Sequence, residues 1–206
     1  GVSMNINFTK FVPISEFVPY IRTAIDGIDE DMALVYITNA IIEFCKDSRI
    51  LKYTQCIEMQ PCVDSYILDV PFGRVSEVIS VTAQTLGCYA RDVSIANSIY
   101  VDGNVLYIDD MPTTGAMQDV NITVSLVPRR DSTDVPEVLY EDWVMAVTHA
   151  ALASLYLLTD AKWYNPNAAQ TNSALYRQFL SKARIKSITA HKPLQPKLQP
   201  RHRSRR

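Results

Sequence analysis

The sequence contains few of the residues that build active sites. It has three histidines, and no two of its four cysteines, Cys45, Cys56, Cys62 and Cys88, form a CxxC pair. No H-E-x-x-H motif, Walker loop or Cys/His metal spacing occurs, and the glycines are scattered singly rather than gathered into a phosphate-binding loop. The sequence therefore predicts no catalytic residue, no cofactor and no metal site.

A long apolar run is also missing. The longest uncharged stretch, Trp143 to Leu158, is shorter than the ~20 residues that a membrane span needs, and polar residues interrupt it. The start of the sequence has neither the basic region nor the apolar core of a signal peptide. We therefore expect an intracellular product with reduced cysteines and no membrane partner.

Acidic residues are absent after Asp160, and this absence divides the chain in two. Residues 1–160 hold all 22 acidic residues and nine of the 20 basic ones, a formal charge of −13, whereas residues 161–206 carry +11. The hydrophobic content of 48% is ordinary for a globular protein, which excludes a wholly disordered chain. An acidic body with a basic arm indicates contact with a large partner.

Hydrophobic spacing predicts helices towards both ends of the chain and strands between them. The predicted helices cover about 15–24, 30–47, 136–159 and 166–187. Short β-branched segments predict a β insertion at about 53–128, with its clearest hairpin turn at Asp102-Gly103. The expected fold class is α+β: one domain, residues 1–187, in which N- and C-terminal helices form a bundle with an inserted antiparallel β module. Residues 188–206 are expected to form a basic, extended, proline-rich C-terminal tail.

One predicted helix carries an apolar stripe. Its members recur at intervals of three and four, so that they share one helix face, and several are small enough to let a second helix approach closely. They are Leu139, Trp143, Ala146, Ala150, Ala153 and Leu157. We expect this core helix stripe to be buried against the earlier helix around Ile37, Ile41 and Phe44.

The candidates for chemistry all have a structural alternative, which we favour. A nucleophilic pair would need Cys45 beside His149, but a histidine next to a helical core is usually structural. The carboxylate pairs at 109–110 and 141–142 could hold a metal or act as acid and base, and solvated surface positions also explain them. Four aromatic residues could stack on bases or instead hold the last two helices together: Tyr156, Trp163, Tyr164 and Tyr176.

The arm holds the residues that we expect to bind a partner. Three prolines favour an extended chain, and leucines alternate with cations. Such an arm could be a solubilising tail, a nucleic-acid arm that neutralises phosphates, or a peptide that docks on a protein. Its candidate docking residues are Lys192, Leu194, Lys197, Leu198, Arg201, Arg203, Arg205 and Arg206.

Several segments of the body occur in an order that is typical of one protein family. They are Ala40 to Cys45, Tyr100 to Gly103, Arg129 to Asp131, Val135 to Trp143, Ala150 to Tyr156, Trp163 to Pro166 and Tyr176 to Phe179. Together, over roughly residues 12–187, they resemble the head-to-tail adaptor proteins (connector or head completion proteins) of tailed bacteriophages.

The resemblance implies a structural virion protein that is not an enzyme. Such adaptors form a ring, commonly a dodecamer, between the portal and the tail, and their C-terminal segments reach into the portal. The ring extends the DNA ejection channel and presents a docking surface for the next tail component, which is a tail tube, a nozzle or a second adaptor.

The expected partners are therefore the portal protein, further copies of the chain and a downstream tail protein, with DNA enclosed but not bound sequence-specifically. The expected location is the head–tail interface of the virion, and the host cytoplasm during assembly. Two alternatives remain open at this point. One is a nucleic-acid-binding protein that uses the basic arm, and the other is an enzyme or an enzyme accessory factor.

Overall fold

The structure is a computed structural model that describes residues 8–60, 63–84, 99–108 and 118–189. Its α-helices are α1 (Val18–Arg22), α2 (Glu30–Ser48), α3 (Glu137–Glu141), α4 (Val144–Leu155) and α5 (Pro166–Thr189), and a 3-10 helix covers Ile14–Phe17. Its strands are β1 (Phe11–Pro13), β2 (Lys52–Met59), β3 (Ser65–Ile67), β4 (Arg74–Gln84), β5 (Ile99–Asp102), β6 (Val105–Ile108), β7 (Gln118–Val127) and β8 (Asp134–Pro136).

The described strands form three small antiparallel sheets. β1 pairs with β8, β7 lies between β2 and β4, and β6 lies between β3 and β5. In β7 the alternate residues Val120, Ile122, Val124 and Leu126 are buried. Alternate residues of a strand face the same side of its sheet, so these four form one apolar face. The apolar core of the β2–β7–β4 sheet therefore lies along β7.

Two glycines fix turns of the β region. Gly103 has a φ of +61° between β5 and β6, where Asp102 pairs with Val105, so the hairpin predicted at Asp102-Gly103 is confirmed. Gly73 has a φ of +63° just before β4. A Cβ at Gly73 would overlap the backbone carbonyl of Val127, whereas a Cβ at Gly103 would meet no atom within 4 Å in the described structure. The close approach of β4 to the end of β7 therefore requires glycine.

The three longest helices, α2, α4 and α5, pack side by side. The Phe44 ring near the end of α2 lies 5.5 Å from the Trp143 ring, just before α4. The Tyr156 hydroxyl, just after α4, donates to the carbonyl of Ala24, before α2, at 3.3 Å. α2 and α4 therefore run antiparallel, and α5, which follows α4 after a short turn, runs parallel to α2. One end of the helical layer therefore holds the first turns of α2 and α5, and the opposite end holds their last turns.

The predicted fold class is wrong. In place of a bundle of N- and C-terminal helices with one inserted β module, the chain is a mixed α/β structure with three separate small sheets in its described part. One of these sheets, β1–β8, joins the segment before α1 to the segment before α3. The helix predicted at 15–24 is a 3-10 helix followed by the short α1, whose first turn contains Pro19. The pairing of β1 depends on a partner far along the chain, which local spacing does not reveal.

The predicted C-terminal tail also needs correction where it is described. Ile188 and Thr189, assigned to the extended arm, are the last residues of α5. The remainder of the arm, residues 190–206, lies outside the described residues. At residues 188 and 189, the part of the predicted tail that the structure describes, the chain is therefore helical and not extended.

The helix predicted at 136–159 is two helices. α3 ends at Glu141 and α4 begins at Val144, and Trp143 between them has non-helical angles of φ −130° and ψ 11°. Trp143 is 6% exposed and packs against Phe44. The bend occurs where this large ring enters the core, so tertiary packing overrides the helical spacing of the sequence.

Four members of the core helix stripe are buried: Leu139, Trp143, Ala146 and Ala150. Ala153 is half-buried. Leu157 is 57% exposed, so its predicted place in the core is wrong. α4 ends at Leu155, so Leu157 lies beyond the helix and does not continue its buried face. Leu155, which does not belong to the predicted stripe, is fully buried in its place.

Candidate interaction surfaces

The structure gives Cys45 and His149 separate surroundings. Cys45 is fully buried in α2, and burial raises the pKa of its thiol, which keeps the sulfur protonated at neutral pH. His149 Nδ1 lies 2.8 Å from the side-chain oxygen of Asn172, and its ring stacks on Phe179 at a centroid distance of 5.8 Å. This arrangement gives His149 a structural role and provides no activated nucleophile at Cys45.

The carboxylate candidates do not form an acid–base site where they are described. Asp142 forms an ion pair with Lys186 at 2.5 Å, and Glu141 is exposed at the end of α3. The pair at 109–110 lies outside the described residues. Within residues 8–60, 63–84, 99–108 and 118–189, no three metal-binding side chains come together.

The four aromatic candidates are mostly engaged in packing around the turn between α4 and α5. Trp163 Nε1 donates to the carbonyl of Leu155 at 3.2 Å, and Tyr156 makes the hydrogen bond that joins α4 to the start of the helical layer. The ring of Tyr176 packs beside that of Phe44 in α2, with a centroid distance of 6.4 Å. Only Tyr164 among the four is largely exposed, at 47%. One exposed ring is a poor platform for stacking successive bases.

The last turns of α5 are held to the body by three hydrogen bonds to backbone carbonyls, which we call the α5 clamp. Lys52 Nζ donates to the carbonyl of Ser187, Ser187 Oγ donates to that of Arg49, and Arg184 Nε donates to that of Asp47, each at 2.8 Å. Carbonyls at helix ends lack partners within the helix, so these side chains satisfy them. Cations there also complement the negative ends of the two helix dipoles.

A groove of about 580 Å³ lies beside the α5 clamp and is lined by residues at the ends of α2 and α5 and on β4. We call it the basic groove, because its charged lining consists of four cations and two acids: Lys46, Arg49, Lys52, Arg184, Asp47 and Glu77. Arg49 forms a bidentate ion pair with Glu77 at 2.5 and 2.7 Å. Lys46 has no ion-pair partner in the described chain.

Lys52 is the most enclosed cation of the basic groove, with 8% of its surface exposed. Burial, and secondarily the positive charge of Arg49, lower the pKa of its amine. Repulsion between neighbouring cations of the groove contributes to this shift, so an added negative group would be favoured there. Ile185 and Ile188 of α5, 64% and 63% exposed, lie in the same final turns of α5, and Ile188 lines the groove.

The opposite end of the helical layer is acidic. Five exposed carboxylates lie around the start of α2 and the α4–α5 turn, and we call this surface the acidic end: Asp26, Asp29, Glu30, Asp31 and Asp160. Asp29 caps α2 by accepting from the Met32 amide at 3.2 Å, and Glu30 pairs with Arg22 at 2.8 Å. The other three carboxylates have no ion-pair partner among the residues that the structure describes.

A second cavity, of about 610 Å³, opens at the acidic end. Apolar side chains of Met32, Leu158 and Trp163 line it together with Asp26 and Asp160. Large apolar residues are also exposed at this end of the helical layer: Met32, Leu157 and Tyr164, at 38%, 57% and 47%. The acidic end therefore combines negative charge with accessible apolar surface.

The sequence carries one signal for the basic groove, which is the spacing of its basic residues. Lys46, Arg49 and Lys52 are three of only nine basic residues in the acidic body, and they recur at intervals of three. The predicted docking residues of the arm, from Lys192 to Arg206, lie outside the described residues, so the structure locates only the point from which the arm departs. No helix in the described part of the chain has the length and apolar character to cross a membrane.

No protein-family model matches this chain, and no curated protein matches it.

Proposed function

We propose that this chain is a head-to-tail adaptor of a tailed bacteriophage, a structural virion protein rather than an enzyme. It forms a ring between the portal and the tail, extends the DNA channel and provides the docking surface for tail components. The order of the segments that resemble such adaptors, over roughly residues 12–187, supports this function. The division between an acidic body and a basic arm supports it independently.

The α5 clamp is the structural observation that carries the proposal. It ties the end of α5 to the body through Lys52, Ser187 and Arg184, so the basic residues that follow start from a fixed point. A tail that only increases solubility needs no such attachment. An arm that must reach a particular partner needs a fixed starting point, because that point and the length of the arm determine which sites it can reach.

The charges fit the proposed partners. Residues 1–187 hold 22 acidic and 14 basic residues, so a channel built from these domains repels DNA phosphates and lets DNA pass without binding it tightly. The basic arm is suited to an acidic groove on the portal. A ring would present many copies of the arm to the portal at once, which raises the overall strength of attachment without any new contact.

Electron microscopy of the protein mixed with its portal tests the proposed function directly. We expect negative-stain images to show a ring of added density at one end of the portal. A folded protein that leaves the portal unchanged at all mixing ratios would contradict the proposal. Circular dichroism of the same sample establishes that the protein is folded.

The isolated protein is expected to be monomeric or weakly associated, and to assemble into a ring only on the portal. Much of the binding energy is held by the arm, and an arm of this composition gains ordered contacts only when its partner is present. Light scattering at micromolar concentration is the measurement. A stable ring of the isolated protein would contradict the expectation.

Replacing both arm leucines, Leu194→Ala with Leu198→Ala, is expected to weaken attachment to the portal although the charge is unchanged. Each leucine buried in a protein groove contributes ~1.5–3 kcal/mol before the cost of ordering is subtracted. The arm cations would add steering and rim contacts. Co-sedimentation with DNA-filled heads at two salt concentrations measures the attachment.

A matched variant separates this docking from phosphate binding. Neutralising Arg201, Arg203, Arg205 and Arg206 while keeping both leucines removes charge alone. If the double-leucine variant attaches fully and only the arginine variant fails to attach, the arm binds phosphates and the portal-docking interpretation is wrong. That outcome would favour a nucleic-acid-binding arm.

A further inference from the structure

We infer that the basic groove of one copy binds the acidic end of a second copy of this chain. The inference deepens the proposed function and rests on it, since it names the two surfaces through which neighbours in the ring meet. The contact itself requires no portal and can be tested on the isolated protein.

The charges of the two surfaces are complementary. The lining of the basic groove holds four cations against two acids. The acidic end holds five carboxylates, and the nearby cations Arg22, Arg130 and Lys162 only partly offset them. Lys46 on one surface, and Asp26 and Asp160 on the other, have no ion-pair partner in the described residues. Complementary charges across an interface fix its register and disfavour the wrong pairing.

Exposed apolar residues accompany the charges on both surfaces. Ile185 and Ile188 stand in the final turns of α5 beside the basic groove, and Met32 and Tyr164 stand at the acidic end. Large apolar side chains gathered near a cavity and rimmed by charge are typical of protein interaction sites. The pairing would remove these side chains from water, which charge complementarity alone would not achieve.

The positions of the two surfaces determine the symmetry of the contact. α2 has 19 residues, so at 1.5 Å per residue its two ends lie about 28 Å apart. The basic groove and the acidic end lie at these opposite ends, so copies that line up head to tail leave one of each surface unoccupied at the ends of the row, whereas an antiparallel pair that matched each groove with the other copy's acidic end would stop at a dimer. Such a head-to-tail contact repeats from copy to copy. It closes into a ring if the rotation between neighbouring copies adds up to a full turn. A two-fold dimer in which the same surface of both copies met would place like charges together.

The acids in the basic groove argue against a phosphate group as its occupant. Asp47 and Glu77 lie in the lining, and Glu77 already engages Arg49 through both oxygens. A phosphate would have to displace that carboxylate or lie beside it. An acidic protein surface with its own cation, such as Lys162 at the acidic end, can pair with both signs of the groove.

Reversing the charge of each surface in separate proteins tests the contact. The groove variant is Lys46→Glu with Ile188→Glu, and the acidic-end variant is Asp26→Lys with Asp160→Lys. Sedimentation equilibrium at low salt and high protein concentration measures self-association. We expect each variant alone to associate about tenfold more weakly than the unchanged protein, and an equimolar mixture of the two to recover most of that loss.

The recovery is expected because a reversed groove attracts a reversed acidic end. A matched control, Glu58→Lys with Asp119→Lys, reverses two exposed charges that face each other across β2 and β7, away from both surfaces. It should associate like the unchanged protein. No association of the unchanged protein, variants that associate normally, or a mixture without recovery would each overturn the inference.

Two further outcomes keep this test separate from the test of function. Rings on the portal without recovery in the mixture would overturn the inference and leave the adaptor function standing. Recovery in the mixture without portal binding would support the inference and contradict the adaptor function. A short DNA duplex that binds the unchanged protein and not the groove variant would assign the groove to phosphates, and would overturn the inference.

Discussion

Gly73→Ala is expected to lower the free energy of unfolding by about 2–5 kcal/mol. Gly73 has a φ of +63°, a conformation that costs a residue with a Cβ about 1–2 kcal/mol. The new methyl would also overlap the Val127 carbonyl, and a backbone group cannot rotate away as the tip of a side chain can. Overpacking of this kind costs a further ~1–3 kcal/mol. The midpoint of chemical denaturation measures the loss.

Gly103→Ala is the matched control for this prediction. Its φ of +61° is nearly the same, but a Cβ there would meet no described atom within 4 Å. The substitution should therefore cost only the conformational part, about 1–2 kcal/mol. Equal losses for the two variants would show that the approach of β4 to β7 is not a steric constraint.

Trp143→Ala is expected to cost about 3–5 kcal/mol, because it removes a large side chain from the core. Trp143 is 6% exposed, packs on Phe44 and lies 5.6 Å from the ammonium group of Lys186. Its removal leaves a cavity between α2 and α4 that the surrounding helices can fill only in part. Chemical denaturation is again the measurement, and an unchanged midpoint would show that the predicted stripe is not core at this residue.

Two controls separate the ring of Trp143 from its polar atom and from general effects of substitution. Trp143 Nε1 is buried without a hydrogen-bond partner among the described residues. Trp143→Phe removes this donor and keeps a six-membered ring in the core, so it leaves a smaller cavity and should cost clearly less than Trp143→Ala. Leu157→Ala, at an exposed position of the same predicted stripe, should change stability by less than ~0.5 kcal/mol. A large loss at Leu157 would contradict the correction to the stripe.

The features that the sequence predicted correctly depend on neighbouring residues. The start of α2 follows from Asp29, whose side chain caps the Met32 amide, and from the acidic residues after it, which favour the positive end of the helix dipole. The β5–β6 turn follows from Gly103, since few other residues adopt a positive φ without cost. In both cases the cause and the effect lie within a few residues.

The features that were missed depend on contacts between distant segments. The break before α4 occurs because Trp143 packs on Phe44, a residue of another helix. The basic groove forms only when α5 brings Arg184 to the end of α2, so the three-residue spacing of Lys46, Arg49 and Lys52 does not by itself define a groove. The pairing of β1 with β8 is equally invisible, since three residues carry too little pattern to identify a distant partner.

The β1–β8 pairing also sets an order of events during synthesis of the chain. Residues 11–13 find their partners at 134–136, and α2 buries its apolar face against α4, which follows later still. On a translating ribosome the first helices must therefore wait, with Ile37, Ile41 and Phe44 exposed, until most of the chain has emerged. Contacts between such distant residues fold slowly and leave apolar surface open to aggregation in the meantime. Truncated products that end within the β region should accordingly be insoluble or degraded, while the complete chain is recovered folded.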